Sequence, residues 1–232
     1  MPPSIPQQSR VAVVTGGASG IGEATCHHLA GRGHRVAVLD LDGDGAQRVV
    51  KDLRADGSAA LGLAVDVTDR PALDAAFAEI RSTLGPTEIL VTSAGLVAFD
   101  TFERITLQRW QRVIDVNLTG TFHCCQAAAP YMVAGRWGRI VTIASSSAQR
   151  GSPGMAHYAA AKGGVIALTK SLAREYAPYG ITVNTIPPSG IETPMQHRSQ
   201  AEDGRHRRRV GVPGKVAVGP GQAAAQQLAV FR

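Results

Sequence analysis

Short runs of apolar, largely β-branched residues alternate along the chain with longer segments whose apolar positions recur every three or four residues. VAVVT (11–15) precedes GIGEATCHHLAGRG (20–33), RVAVLD (35–40) precedes DGAQRVVKDLRADG (44–57), and AALGLAVD (59–66) precedes DRPALDAAFAEIRSTLG (69–85). EILVTS (88–93), RIVTIAS (139–145) and ITVNTI (181–186) read as three further strands, with helices expected over about 106–133 and 157–177. The strand runs are apolar on both faces, as strands covered from both sides must be, and several helical segments end on Gly, a common helix stop. Strands joined by helical crossovers pair in parallel, with right-handed connections. The pattern predicts an α/β fold, a doubly wound parallel sheet of six strands, built as one domain over residues 1–232 with no linker and no solenoid repeat. In such a sheet a ligand lies across the carboxyl ends of the strands.

Composition changes this picture little. The 232 residues are 44% apolar and only 5% aromatic, enough to bury a core by close packing of helices on a sheet. No apolar run approaches the roughly 20 residues of a bilayer span, and MPPSIPQQSR lacks the basic and apolar regions of an export signal. We therefore expect no membrane partner and a cytoplasmic location. The three cysteines follow no zinc spacing, so no metal is expected, and Cys124–Cys125 read as small packing residues on a helix. The net charge of +6 is uneven. Seven of the 24 Lys/Arg but two of the 18 Asp/Glu lie from Met195 onward, leaving the body with a surplus of one. A nucleic-acid face is spread over a fold, whereas this excess sits in GRHRRRV (204–210) without aromatic neighbours. No nucleic-acid partner is expected.

Three local patterns carry chemistry. TGGASGIG (15–22) joins the first strand to the first helix, where glycines permit a tight turn and free N–H groups favour an anion. Asp40 ends the second strand, where a carboxylate can accept both hydroxyls of an adenosine ribose and repel a 2′-phosphate. No Arg or Lys lies within the glycine-rich turn or directly after Asp40, which favours NAD over NADP. In HYAAAKGGV (157–165), Tyr158 and Lys162 are four residues apart and project from one face of a helix. A free phenol has a pKa of about 10. A neighbouring ammonium, with the positive ring of NAD⁺, is expected to lower it far enough for proton exchange near neutral pH.

With TGGASGIG, Asp40, DVTD from Asp66, SAG from Ser93, DVNLTGTF around Asn117, IASSS with Ser145, YAAAK and VNTIPPSGIETPM in order, the chain resembles the short-chain dehydrogenases/reductases over about residues 10–195. The resemblance implies a Rossmann-type domain and a catalytic group of Asn117, Ser145, Tyr158 and Lys162. Ser145 is favoured over Ser146 and Ser147 only by its place in the motif. The resemblance also implies cofactor contacts from Gly16, Ser19, Gly20, Ile21, Gly22, Asp40, Asp66, Val67, Ser93, Ala94, Gly95, Tyr158, Lys162, Ile191 and Thr193. Asp66 and Val67 would meet the adenine, and Ile191 and Thr193 the nicotinamide carboxamide. Asn117 would bind a water that relays protons from Lys162 to solvent. His157 reads as a variable polar position rather than a further proton carrier. Implied too is a homodimer or homotetramer, with the helices over 117–133 and 157–177 packing on a partner copy.

Three departures stand out: Thr92-Ser93 replaces the family's asparagine pair, Pro188-Ser189-Gly190 replaces its Pro-Gly turn, and residues 196–232 do not follow its pattern. No seventh strand is visible there, and a truncated or frame-shifted segment is the expectation. The sequence thus points to NAD-dependent interconversion of a secondary alcohol and its ketone. A catalytically impaired relative and a non-catalytic dinucleotide sensor are the alternatives.

Overall fold

The computed structural model describes residues 8–195 and 197. Among these residues six strands form one sheet: β1 (Val11–Thr15), β2 (Arg35–Asp40), β3 (Ala60–Ala64), β4 (Thr87–Thr92), β5 (Gly138–Ile143) and β6 (Ile181–Ile186). Their order is β3-β2-β1-β4-β5-β6, and every neighbouring pair is parallel. The order reverses between β1 and β4, so the crevice at their carboxyl ends is the place for a ligand. Among the described residues, the doubly wound six-stranded sheet expected from the sequence is the one observed.

Helices α1 (Gly20–Gly31), α2 (Gly43–Ala55), α3 (Arg70–Thr83), α4 (Leu107–Ile114), α5 (Gly120–Gly135), α6 (Ser147–Arg150) and α7 (Ala156–Tyr176) supply the connections. Their starts are chemically marked. Asp42 accepts from the Gly45 N–H, Asp69 from Ala72 and Thr106 from Arg109, each satisfying a first-turn donor. Two apolar layers lie on the two faces of the sheet. One joins α3 and α5 to it through Phe77, Ile80, Ala128 and Met132; the other joins α1 and α2 through Cys26, Leu29, Val49 and Leu53. Each fully buried Val, Leu or Phe contributes roughly 1.5–3 kcal/mol. The result is a rigid platform whose upper rim carries the turns.

The segment expected to form one helix over 106–133 is a single helical run with a π-helical turn at Asp115–Thr119 between α4 and α5. Periodicity alone does not mark that extra residue. A 3₁₀ turn at Phe102–Arg104 and the one-turn α6 are also additions, both too short to show a hydrophobic period. Among the described residues β6 pairs only with β5. The expectations for residues 198–232, including the missing seventh strand and the Arg-rich stretch, fall outside the described residues.

Candidate active site

A cleft of about 650 Å³ opens above the carboxyl ends of the strands. Its floor begins at the β1–α1 turn, where Gly16 has φ +67° and a side chain there would lie 2.7 Å from the Ala94 nitrogen. Only glycine fits that approach. Ser19 precedes α1 with extended backbone, and its hydroxyl makes no capping bond. The first-turn N–H groups therefore stay available to an anion, and Ser19, Gly20 and Ile21 line the cleft. Gly22 does not. It lies behind the turn, where a Cβ would stand 2.0 Å from the Gly16 carbonyl oxygen.

Two carboxylates line the same half of the cleft. Asp40 accepts from the Ala18 and Asp42 N–H groups, both at 3.0 Å, so it braces the turn as well as facing the cleft. Asp66 Oδ1 accepts from the N–H and hydroxyl of Thr68 at 2.8 and 2.7 Å. Burial pushes the Asp66 pKa up, but the Thr68 bonds and the charge of Arg112 outweigh it, and the net value lies below the usual one. Asp66 stays ionised, with Oδ2 left for a donor. Val67 lines the wall beside it, and its carbonyl contacts the His123 ring at 3.1 Å. The sequence reading missed Arg48, eight residues beyond Asp40. It reaches back from α2 to the Ala18 carbonyl at 2.9 Å and pairs with Glu23 at 2.7 Å.

Ser145, Tyr158 and Lys162 converge on the other half. Strand β5 delivers Ser145 just past its end. The Ser145 hydroxyl is 2.8 Å from that of Ser147 and in hydrogen-bonding contact with the Tyr158 phenol. Ser146 turns to Arg150 at 3.1 Å, which separates the three serines by role. Tyr158 and Lys162 share one face of α7 as their spacing requires, and both are buried. Burial raises the phenol pKa, and the Ser145 bond lowers it by less. The depression expected from Lys162 is absent from this arrangement: the ammonium sits 5.9 Å from the ring centre and donates to the Ile143 carbonyl at 2.8 Å. Burial lowers the Lys162 pKa to about 8.

Asn117 lies in the π turn and is fully buried. Its amide nitrogen donates to the Leu96 and Val113 carbonyls, both at 2.9 Å, while Oδ1 has no partner. The point where a Gly95 side chain would begin lies 2.8 Å from Asn117 Oδ1 and 3.6 Å from Lys162 Nζ, so the two groups border one small space. A π turn within a helix often marks a functional position. Here it aims an unsatisfied acceptor at the cleft.

The remaining predicted contacts, Ser93, Ala94, Gly95, Ile191 and Thr193, also line the cleft. The Thr92-Ser93 replacement keeps the backbone in place, because Ser93 and Ala94 donate to Thr15 at 3.1 and 3.3 Å. It leaves the buried Thr92 hydroxyl unpartnered. The altered Pro188-Ser189-Gly190 turn stays on the wall, with the Pro188 carbonyl accepting from Ser146 at 2.8 Å. Cys26, Cys124 and Cys125 are buried and free, as packing residues should be. No metal-binding cluster occurs among the described residues.

A family model described as short chain dehydrogenase matches residues 10–204. The 3-oxoacyl-[acyl-carrier-protein] reductase FabG of Escherichia coli (strain K12) is 38% identical over 212 residues, covering 91% of this chain and 84% of its own. D-threitol dehydrogenase of Mycolicibacterium smegmatis is 38% identical over 190 residues, covering 82% of this chain and 73% of its own. Among solved structures, the crystal structure of gox2181 superposes with a TM-score of 0.81 at 35% identity, covering 88% of this chain and 81% of that one.

Proposed function

The chain belongs to the short-chain dehydrogenase family, and from that premise we propose that it interconverts a secondary alcohol and its ketone with NAD(P), NAD being preferred. The observation carrying this reading is the convergence of Ser145, Tyr158 and Lys162 beneath the glycine-rich turn in one cleft. The cleft fits a dinucleotide. It joins an uncapped helix start, the carboxylates of Asp40 and Asp66, and the Ile191–Thr193 wall. NAD(P) bound there supplies or accepts the hydride. The chain's own part is to orient the reactants and move one proton. Tyr158 holds its proton because burial disfavours the phenolate, and in ketone reduction it gives that proton to the carbonyl oxygen. In alcohol oxidation it takes the proton back, a direction that needs added positive charge in the cleft, such as bound NAD⁺ would bring. Ser145 donates to the same substrate oxygen, and charge developing there is stabilised. Asn117 Oδ1 and Lys162 form the inner end of a proton path to solvent.

The choice of NAD rests on Asp40, whose carboxylate faces the cleft and repels a 2′-phosphate. Val97, Phe99, Pro153 and Met155 make the substrate end largely apolar. This supports a carbonyl flanked by carbon chains. No helix among the described residues is long and apolar enough to cross a membrane, and we assign the protein to the cytoplasm. Half-exposed Phe122 on α5 and exposed Leu107 on α4 support self-association into a homodimer or homotetramer. The deciding experiment is a panel of ketones and alcohols followed by NADH and NADPH absorbance, alongside cofactor binding by fluorescence. Turnover with a carbonyl supports the dehydrogenase reading. Tight cofactor binding without turnover by any member of the panel supports the dinucleotide sensor instead.

A further inference from the structure

His157, immediately before Tyr158, is fully buried. Its Nε2 lies 3.3 Å from Asp100 Oδ2, and neither ring nitrogen completes a well-aligned hydrogen bond. Asp100 belongs to the segment after β4. Arg109 of α4 holds the same carboxylate oxygen at 3.1 Å, and the Asp100 N–H donates to the Gly154 carbonyl at 2.9 Å. Asp100 is thus tied by side chain to α7, by main chain to the loop before α7, and by Arg109 to α4. Burial lowers the His157 pKa, opposed by Asp100 and the Met155 backbone, while Arg109 lowers it further. The ring is therefore neutral near pH 7, and its Nε2 faces the carboxylate at 3.3 Å, a close approach rather than a completed bond.

The neighbours of this pair give it a purpose. Phe99, next to Asp100, lines the substrate end of the cleft, as do Met155 and Tyr158 on either side of His157. Residues 57 positions apart in the chain thus join the two segments whose side chains face each other across the substrate. A buried imidazole so incompletely bonded costs stability. An apolar residue of similar size would avoid that cost, so packing alone does not account for a histidine here. We infer that His157 and Asp100 form a clamp fixing the width of the substrate end and the position of the Tyr158 phenol. His157 is then a positioning residue: it touches neither cofactor nor reacting atoms. The inference rests on the dehydrogenase reading for its effect on turnover, but the clamp itself can be tested without turnover.

The variants are His157→Leu, which keeps volume but cannot donate, and His157→Gln, whose amide can still reach Asp100. Hydrogen exchange followed by mass spectrometry should show segments 96–106 and 150–156 exchanging about tenfold faster in H157L, with the sheet unchanged. Ethyl acetoacetate serves as the ketone probe. Its KM should rise about tenfold in H157L, with a smaller fall in kcat and an NADH Kd within twofold of the native value. H157Q should recover most of both losses. Native exchange rates in both segments of H157L overturn the clamp, whether or not the protein turns over substrate. So does equal damage in H157L and H157Q. A native protein that reduces no ketone, with both segments loosened in H157L, upholds the clamp and counts against the dehydrogenase reading alone.

Discussion

Lys162 Nζ donates to the Ile143 carbonyl at 2.8 Å, while standing 5.9 Å from the centre of the Tyr158 ring. The lysine is thus tied to the end of the strand that delivers Ser145, and it approaches the tyrosine ring without bonding to the phenol. Burial acts on the two groups in opposite directions. It raises the tyrosine and lowers the lysine, and so favours the neutral form of each. Before cofactor binds, the Tyr158 phenol thus holds its proton. A positive charge arriving in the cleft is what would turn it into a base.

Tyr158→Phe should therefore remove turnover and little else. The ring and its packing stay, while the hydroxyl proposed to exchange the substrate proton goes. A fall in kcat of about 10²–10⁴ is expected for loss of a general acid, with NADH affinity within a few fold by fluorescence titration. Residual activity near the native rate would mean that another group carries the proton.

Lys162 makes a pH-dependent contribution to stability with a defined sign. Its folded pKa of about 8 lies below the ordinary 10.5. Between those values the unfolded chain binds more protons, so this group's contribution to stability rises with pH across the window. Below about pH 8 the folded protein bears the full cost of a buried ammonium. Lys162→Met removes that cost along with the Ile143 bond. The bond to Ile143 changes only with that same ionisation, so the pH dependence of the melting difference between variant and native protein reports the titration of Lys162. The variant should lose ground relative to native protein as pH rises from 7 to 10. A difference independent of pH would place the lysine pKa near its ordinary value.

Most of the platform was legible because both periods are long. Strand runs apolar on both faces and helices with Val49, Val50 and Leu53 on one side leave little choice of register. The convergence of Tyr158 and Lys162 on the cleft was legible because they sit on one helix face, where spacing fixes direction, whereas Asn117 and Ser145 were placed only by resemblance. Three things were not legible. The π turn at Asn117 adds a residue without disturbing the apolar pattern around it. Arg48 reaches the glycine-rich turn from one turn into α2, beyond the neighbourhood of Asp40 that the sequence singles out. His157 and Asp100 meet only because the segment after β4 and the start of α7 come together beyond the carboxyl ends of the adjacent strands β4 and β5, a contact that no local pattern encodes. The buried, unbonded Thr92 hydroxyl has no explanation in the structure.

Asp40→Ala should damage cofactor use in two ways. It removes the proposed ribose acceptor, and it frees the Ala18 and Asp42 N–H groups that the carboxylate now holds. The native protein should prefer NAD over NADP by roughly tenfold or more in kcat/KM, and the variant should narrow that gap chiefly by losing NAD. Calorimetry with 5′-AMP and 2′,5′-ADP gives the same comparison without catalysis. A native preference for 2′,5′-ADP would transfer the selecting role to Arg48, the cation bonded to the Ala18 carbonyl.

Two glycines of α1 make a contrast within one helix. A Cβ at Gly22 would lie 2.0 Å from the Gly16 carbonyl oxygen and 3.0 Å from the Gly17 Cα, atoms of the turn itself that cannot swing aside as a side chain would. Nothing lies within 4 Å of a Cβ at Gly31, which is exposed at the last position of the helix. Gly22→Ala should cost about 1–3 kcal/mol by overpacking, lowering the melting temperature by several degrees. It should also weaken NADH binding, although Gly22 does not line the cleft, because the turn must move for the methyl group to fit. Gly31→Ala should be neutral or stabilising by up to about 1 kcal/mol, since alanine is the better helix former. If G22A melts and binds NADH like the native protein, the turn has room to relax and its glycine is not required by packing. If only its cofactor affinity falls, the strain is confined to the shape of the cradle.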